Sequence, residues 1–469
     1  MTEPHDAPTE PGRDARTEDD AHDPAPRDAA RADGADVREA GASDQDGARE
    51  DAVAEPATHE GPTAREREAA RARRWRSARR VGALVVVLGL AAGAHYWFGG
   101  GYDRYKNDKL LGGACEGVLA KREARAILGD GPLKKGDGGQ RATGSFAGGE
   151  DQGSLRVRCS VRRDLEYNAG KPTVEASVTV TVSGVPTRGA YESHFGEGDA
   201  SLPRGPAPVP LGDGWTGIFA TDDRGSDALR AAHTSVVLDC ADSPNDLLVT
   251  ARVEEEDSTL DNPDSRAAFA RVATATAKKA ARHWGCDARL GKDPTSVPLP
   301  VNEREYVPLR GADGTCAGVA AAGTPRGGLR VPHAWESTRA RAPYEACVVG
   351  EDGARWRYRL RALYGPYAEE MRHVLRSQGR LSASRPDFAR ERAGYADVPQ
   401  LHQWWGSAEC GAGDRALFTA EKVENFDSYD RDGTRDREPR ADAAYQRRAL
   451  AEFARRSAAS HGCAAPTTP

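Results

Sequence analysis

The chain carries eight cysteines, all beyond residue 114, and their surroundings repeat in order. Cys115-Glu-Gly-Val118 is matched by Cys316-Ala-Gly-Val319, and Cys159-Ser-Val161 by Cys347-Val-Val349. Cys240 precedes Leu248-Val-Thr-Ala-Arg-Val253, as Cys410 precedes Leu417-Phe-Thr-Ala-Glu-Lys-Val423. Each set closes on a helix-like run ending in Gly-Cys, at His283-Trp-Gly-Cys286 and Ser460-His-Gly-Cys463. The intervals are 44, 81 and 46 residues in the first set and 31, 63 and 53 in the second, so loops have diverged around a shared frame. Self-similarity of this kind predicts two tandem copies of one unit.

An even count of cysteines confined to one side of an apolar segment reads as disulfides formed in an oxidising compartment. Zinc would need close ligand pairs of the C-x₂₋₄-C kind, and no two cysteines here are nearer than 31 positions. Four cysteines allow three pairings, and spacing alone does not choose among them. The expectation is neighbours in order: Cys115–Cys159, Cys240–Cys286, Cys316–Cys347 and Cys410–Cys463. A closing helix packed back on its sheet would bring its terminal cysteine to the strand cysteine before it. Each bridge would contribute roughly 2–4 kcal/mol, mainly by restricting the unfolded chain.

Within each copy the hydrophobic pattern alternates between helical and extended periods. Glu116–Leu128 predicts a helix that stops at Gly129. Gly129–Gly153 is a Gly-rich loop, and Leu155–Val161 reads as a strand. Thr173–Val182 alternates strictly, with Val174, Ala176, Val178, Val180 and Val182 on one face. Arg355–Tyr364 does the same through Trp356, Tyr358, Leu360, Ala362 and Tyr364. Helical stretches follow, short at Ala190–Phe195 and longer at Tyr367–Ser377. Further strands are expected at Trp215–Ala220, Thr234–Cys240, Leu247–Val253 and Ala416–Val423. The first closing helix spaces Phe269, Val272, Ala273, Thr276, Ala280 and Trp284 along one face, and the second does so with Tyr445, Ala449, Leu450 and Phe453. Gly323-Thr-Pro325 would break the opening helix of the second copy soon after Cys316. The predicted fold class is α+β: two tandem related domains, 110–290 and 308–464, each a half-buried antiparallel sheet packed by a C-terminal helix and stapled by disulfides. The span 291–307 holds Pro294, Pro298 and Pro300 and reads as a linker, and 465–469 as a tail.

Ahead of the cysteines lies Val81–Phe98, eighteen residues without a formal charge. At ~1.5 Å per residue they give about 27 Å, enough for one pass across a hydrocarbon core. Residues 65–80 hold eight Arg against two Glu, while His95, Tyr96 and Trp97 close the far end. A basic cluster marks the cytoplasmic end and aromatic residues the interface. The expected location is therefore the cell membrane, single-pass, N-terminus cytoplasmic and C-terminal domains extracytoplasmic. A cleaved signal peptide is the rival, since Ala92-Gly-Ala94 fits a small-x-small site, but the 80 residues before Val81 are unlike a short basic n-region. Gly89-Leu-Ala-Ala-Gly93 is a GxxxG, which would let two such helices pair closely as a homodimer through Gly89 and Gly93. Residues 99–109 read as a tether. Residues 1–64, with 18 acidic residues, six Arg and no aromatic, read as a disordered cytoplasmic tail. That tail sums to −12 and residues 65–80 to +6, so with −6 overall the rest of the chain is neutral. A neutral outer part leaves no electrostatic footprint for nucleic acid. The basic segment beside the span suits anionic lipid.

No G-x-S-x-G, H-E-x-x-H, P-loop or dinucleotide-binding Gly motif is present, and no cofactor or metal is expected. Asp427–Gly433 has the look of a calcium loop, but the twelfth loop position would be Pro439, where a bidentate Glu is needed. His283 and His461 stand near the ends of the closing helices, where interaction with the helix terminus is their ordinary role. Trp404-Trp405 reads as core. The layout from residue 65 onward resembles actinobacterial, streptomycete-like single-pass membrane proteins with duplicated cysteine-bridged extracytoplasmic domains. The resemblance rests on cysteine context and on Arg- and Ala-rich composition, with no Lys before Lys106, and it carries no active-site residue. Duplication without a catalytic signature favours a binding or assembly module of the cell envelope over an enzyme. Its expected partners are the bilayer, envelope proteins and cell-wall components. The alternatives are a cell-envelope hydrolase with an acid/base pair scattered in sequence, and a transmembrane signal relay through the tail.

Overall fold

A computed structural model describes residues 71, 74, 75, 79–91 and 93 and most of 101–469. Outside the described residues lie, among shorter stretches, 1–70, 94–100, 166–172, 187–206, 223–229, 326–329, 379–385 and 424–439. The predicted tail at 1–64, the helix at Ala190–Phe195 and the acidic loop at 427–433 fall there. Residues 81–91 are helical, and their large apolar side chains are exposed, from 60% at Val86 and Leu88 to 69% at Leu90. Among the described residues no helix is long and apolar enough to cross a membrane.

Each C-terminal half is an antiparallel sheet with a long helix on one face. The first half opens with α1 (Gly101–Gly113), a 3₁₀ turn (Ala114–Gly117) and α2 (Lys121–Leu128). Strands β1 (Lys134–Lys135), β2 (Arg141–Thr143), β3 (Arg156–Leu165), β4 (Thr173–Pro186), β5 (Val209–Pro210), β6 (Gly217–Asp222), β7 (Arg230–Leu238) and β8 (Asn245–Glu255) follow, then α3 (Pro263–Trp284). The second half holds β9 (Val307–Pro308), β10 (His333–Glu336), β11 (Tyr344–Glu351), β12 (Arg355–Leu363), α4 (Pro366–Gln378), β13 (Ala393–Val398), β14 (Leu401–Glu409), β15 (Arg415–Lys422) and α5 (Arg440–His461). The sheet orders are β1-β3-β4-β8-β7-β6-β5, with β2 also on β3, and β13-β14-β15-β12-β11-β10-β9. Read from the strand that carries the first strand cysteine, β3-β4-β8-β7-β6 and β11-β12-β15-β14-β13 are one topology.

The register repeats too. Cys159 faces Val180, which faces Ala251, and Cys347 faces Leu360, which faces Ala420. All eight cysteines are bridged, as Cys115–Cys159, Cys240–Cys286, Cys316–Cys347 and Cys410–Cys463. One bridge in each half ties the opening turn to β3 or β11; the other ties the end of the closing helix to the chain leaving β7 or β14. Both closing helices end alike. Gly285 and Gly462 take φ +69° and +72°, and the cysteine after each donates to a carbonyl five residues back, at Ala281 and Ala458. A left-handed residue after the last turn is a position that glycine fills without strain.

Strand alternation assigns the faces. Val178, Val180 and Val182 of β4 and Val249, Ala251 and Val253 of β8 pack under Phe269, Val272 and Ala273 of α3. Leu360, Ala362, Phe418 and Ala420 pack under Tyr445, Leu450 and Phe453 of α5. The other faces, expected to meet solvent, are buried as well. Val185, Ile218 and Leu248 of the first half share one cluster with Tyr344, Leu363, Tyr367, Met371, Trp405 and Leu417 of the second. Ser177, Thr181 and Ser183 of β4, polar by sequence, are at most 8% exposed. The half-buried sheet expected from alternation is therefore replaced by a sheet covered on both sides.

Four other expectations change. The 99–109 tether is largely helical: α1 buries Asn107 and Leu111, and the Asn107 amide donates to Gly131 O (2.8 Å) and accepts from Leu133 N (3.0 Å). The helix expected over 116–128 is split, because Cys115 and Glu116 take φ +50° and +56° next to the bridge. Part of the 291–307 linker is docked on the first half, where Val297 is fully buried and Arg266 Nε donates to its carbonyl (2.8 Å). The stretch 465–469, expected as a tail, is held to the sheet, with Thr467 pairing with Ser407 of β14.

Truncation of the core aromatic Phe453 to Ala should cost about 3–5 kcal/mol, read as a lower urea midpoint by tryptophan fluorescence. Graded reduction with mass-spectrometric alkylation should open Cys410–Cys463 first. Both of its cysteines are half-buried, whereas the other six are at most 7% exposed.

Candidate functional site

The two halves open on a turn with a left-handed glycine in common and then part. Gly117 and Gly318 take φ +84° and +82°, while Cys115 and Glu116 are left-handed as well and Cys316 and Ala317 are not. After it, the first half continues into α2, which buries Ala124, Ile127 and Leu128 in the core beside α3. Ala120 N donates to Thr276 Oγ1 (3.1 Å) and Lys279 Nζ to Leu119 O (2.7 Å), fastening this segment to α3. In the second half the helical run is one 3₁₀ turn, Val319–Ala322, fastened to α5 by Arg448 Nε on Ala322 O (2.9 Å). Gly323 and Pro325 end it, since proline cannot donate the next helical hydrogen bond. The described residues beyond, 323–325 and 330–332, are not helical.

An open pocket of ≈ 580 Å³ lies at this corner of the second half. Its apolar wall is made by Pro308, Leu309, Ala320, Pro325, Val331 and Pro332. Leu309 and Val331 belong to the core beneath α5, so the pocket floor is continuous with packed interior. The wall is braced: β9 pairs with β10 through His333 and Pro308, and Leu309 N donates to Pro332 O (2.8 Å). Arg310 and Arg330 also line the pocket, and both are exposed. No carboxylate or histidine is among the described lining residues. The volume is of the size that small-molecule sites use, roughly 300–1,000 Å³.

A separate polar relay sits at the far end of α5. Tyr364 stacks flat on His461, with ring centroids 3.7 Å apart. His461 Nε2 meets Glu345 Oε1 at 2.8 Å, Ser457 Oγ donates to Glu345 Oε2 at 2.6 Å, and the Tyr364 hydroxyl donates to Ser457 Oγ at 2.6 Å. Burial raises the Tyr364 hydroxyl above the ordinary phenol range, and the Glu345 charge adds to this, so the group stays a donor. Ser457 is bonded to the carboxylate rather than to the imidazole, so the three do not form a nucleophile–base pair. The relay fastens the last turn of α5 to β11.

The eight cysteines pair off at four separate places and do not converge on one site. His283 is exposed and packs edge-on against Trp284 (4.7 Å), while His461 belongs to the relay. Trp405 is 1% exposed against Phe388, and Trp404 faces the α5 side beneath Arg447. Among the described residues no group of three His, Cys, Asp or Glu could hold a metal ion. Arg310, Arg330 and Glu345 carried no signal in the sequence; the Gly323-Thr-Pro325 break was the only local pointer to the pocket.

Glu345→Ala should lower stability by about 3 kcal/mol, because it strands buried partners, whereas Glu345→Gln, which keeps an acceptor, should cost less; thermal unfolding of the oxidised chain measures both. Comparison of the chain with protein-family models, with curated proteins and with solved structures finds no match in any of the three.

Proposed function

We propose that this chain is a single-pass membrane protein that presents its C-terminal halves outside the cell membrane as a tandem binding module of the envelope. The observation that carries the reading is a partition along the chain. At 81–91 a helix exposes Val81, Leu84, Val85, Val86, Val87, Leu88 and Leu90 at 60–69%, and every disulfide lies after it. In water, seven large apolar residues on so few turns would be an aggregation hazard; in lipid they are matched to their solvent. The eight Arg of 65–80 supply the cytoplasmic flank. Bridged cysteines belong to an oxidising compartment, which agrees with an extracytoplasmic C-terminal side. The ≈ 580 Å³ pocket gives that side a place to bind, and its described lining residues include no paired acid and base of the kind a hydrolase uses.

Protease added to intact spheroplasts should digest 308–464 and spare 1–64, and non-reducing peptide maps of the same cells should show all four bridges. Protection of 308–464, or free thiols throughout, would overturn the reading.

A further inference from the structure

We propose that the corner pocket of the second half binds an anionic amphiphile, its apolar chain in the cavity and its carboxylate or phosphate head met by Arg310 and Arg330. This rests on the reading of the chain as a binding module and names the class of ligand.

The two halves provide an internal comparison. They share sheet order, strand register, bridge positions and the left-handed glycine of the opening turn. In the first half the segment after that turn is α2, whose Ala124, Ile127 and Leu128 are at most 6% exposed in the core. The matching described segment of the second half offers only Gly323, Thr324 and Pro325, and they line a pocket. Among the described residues, the place that α2 fills with aliphatic side chains in one copy is bordered in the other by the apolar wall of the pocket, and an aliphatic group suits that wall.

Charge supplies the other half of the argument. Elsewhere in the second half several arginines pair with carboxylates, Arg357 with Glu351, Arg359 and Arg361 with Glu421, Arg372 with Glu369, and Arg392 with Glu409, and others, such as Arg415 and Arg448, donate to backbone carbonyls. Among the described residues Arg310 and Arg330 have no such partner. The nearby carboxylate of Glu336 is taken by backbone, accepting from Asp313 N (3.1 Å) and Cys316 N (2.9 Å). Two uncommitted guanidinium groups at the mouth of an apolar cavity suit a planar or tetrahedral anion on a hydrocarbon tail.

The test uses the full chain in phosphatidylcholine nanodiscs and a dodecanoate bearing a photoreactive diazirine, with adducts mapped by peptide mass spectrometry. Adducts are expected within 308–332, and dodecyl phosphate should displace them. The double variant Arg310→Gln with Arg330→Gln should weaken labelling there by about tenfold or more, as loss of charge-assisted contacts implies. Ala320→Trp, which fills the cavity, should abolish it; a non-reducing map showing four intact bridges certifies each variant. Adducts confined to 81–98, labelling indifferent to both variants, or displacement by inorganic phosphate as effective as by dodecyl phosphate would overturn the proposal. The experiment is made on purified protein and does not depend on which side of the membrane the pocket faces. A cytosolic C-terminal half would defeat the topology reading while leaving this result standing, and the converse also holds.

Discussion

A sheet has two faces, and each half of this chain brings one long closing helix to cover them. α3 and α5 take the aliphatic faces, where Val, Leu and Ala alternate at the period of a strand. The second faces are then left with serine, threonine and arginine, and much of that surface is buried between the halves. Such a face is stable only if its polar atoms are matched. Ser160 pairs with Thr179 (2.9 Å), Ser177 donates to Glu254 (2.8 Å), and Arg361, 3% exposed, reaches Thr419, Gln403 and Glu421. Burying such groups adds little net stability, but breaking any one leaves a stranded partner. The mixed cluster around Tyr344, Tyr367 and Trp405 supplies the apolar drive that the serines and threonines cannot.

The bridges act where this arrangement would otherwise fray. In each half one fixes the opening turn to the sheet and the other fixes the end of the closing helix, the two places where chain leaves regular structure. The need differs between halves. Of the largest fully buried side chains, the first half holds Phe219, Phe269, Leu111 and Leu119, while the second holds Trp335, Trp405, Tyr344, Tyr358, Tyr367, Tyr445, Phe418 and Phe453. The first core is a valine and alanine core completed by α1 and α2. Among its described residues the second has no counterpart of those helices, and its volume is filled with rings.

Much of this was legible in the sequence, because it is local or periodic. The alternation of Thr173–Val182, the helical spacing from Phe269 to Trp284 and the paired Gly-Cys endings each follow from one element's geometry. The repeat also identifies equivalent strands: Ala251 and Ala420, matched by their Leu-x-Thr-Ala context, occupy the same register. What stayed hidden depends on contacts distant in sequence. Glu345 and His461 are 116 residues apart, and nothing near either one marks the other. Buried Ser177, Thr181 and Ser183 read as a solvent face because alternation reports that a strand has two sides, not what covers the second. α1 was missed since its residues, from Gly101 to Gly113, show no apolar period; two of them are buried, and one of those is Asn107.

The pocket follows from the same logic of shared frame and local departure. A helix of the α2 type buries three aliphatic side chains, and fully burying one large aliphatic side chain is worth roughly 1.5–3 kcal/mol. Losing such a helix from a lone domain of this size would consume a large part of a stability of about 5–15 kcal/mol. In the second half, where no such helix is among the described residues, aromatic packing beneath α5, two bridges and a face shared with the first half supply stability. The copy that keeps α2 has its corner closed by its own chain, and no such segment is present among the described residues of the other. A duplicated frame can therefore carry an opening that neither copy would tolerate alone, and Gly323 and Pro325 are the residues that make it by ending the helix after one turn.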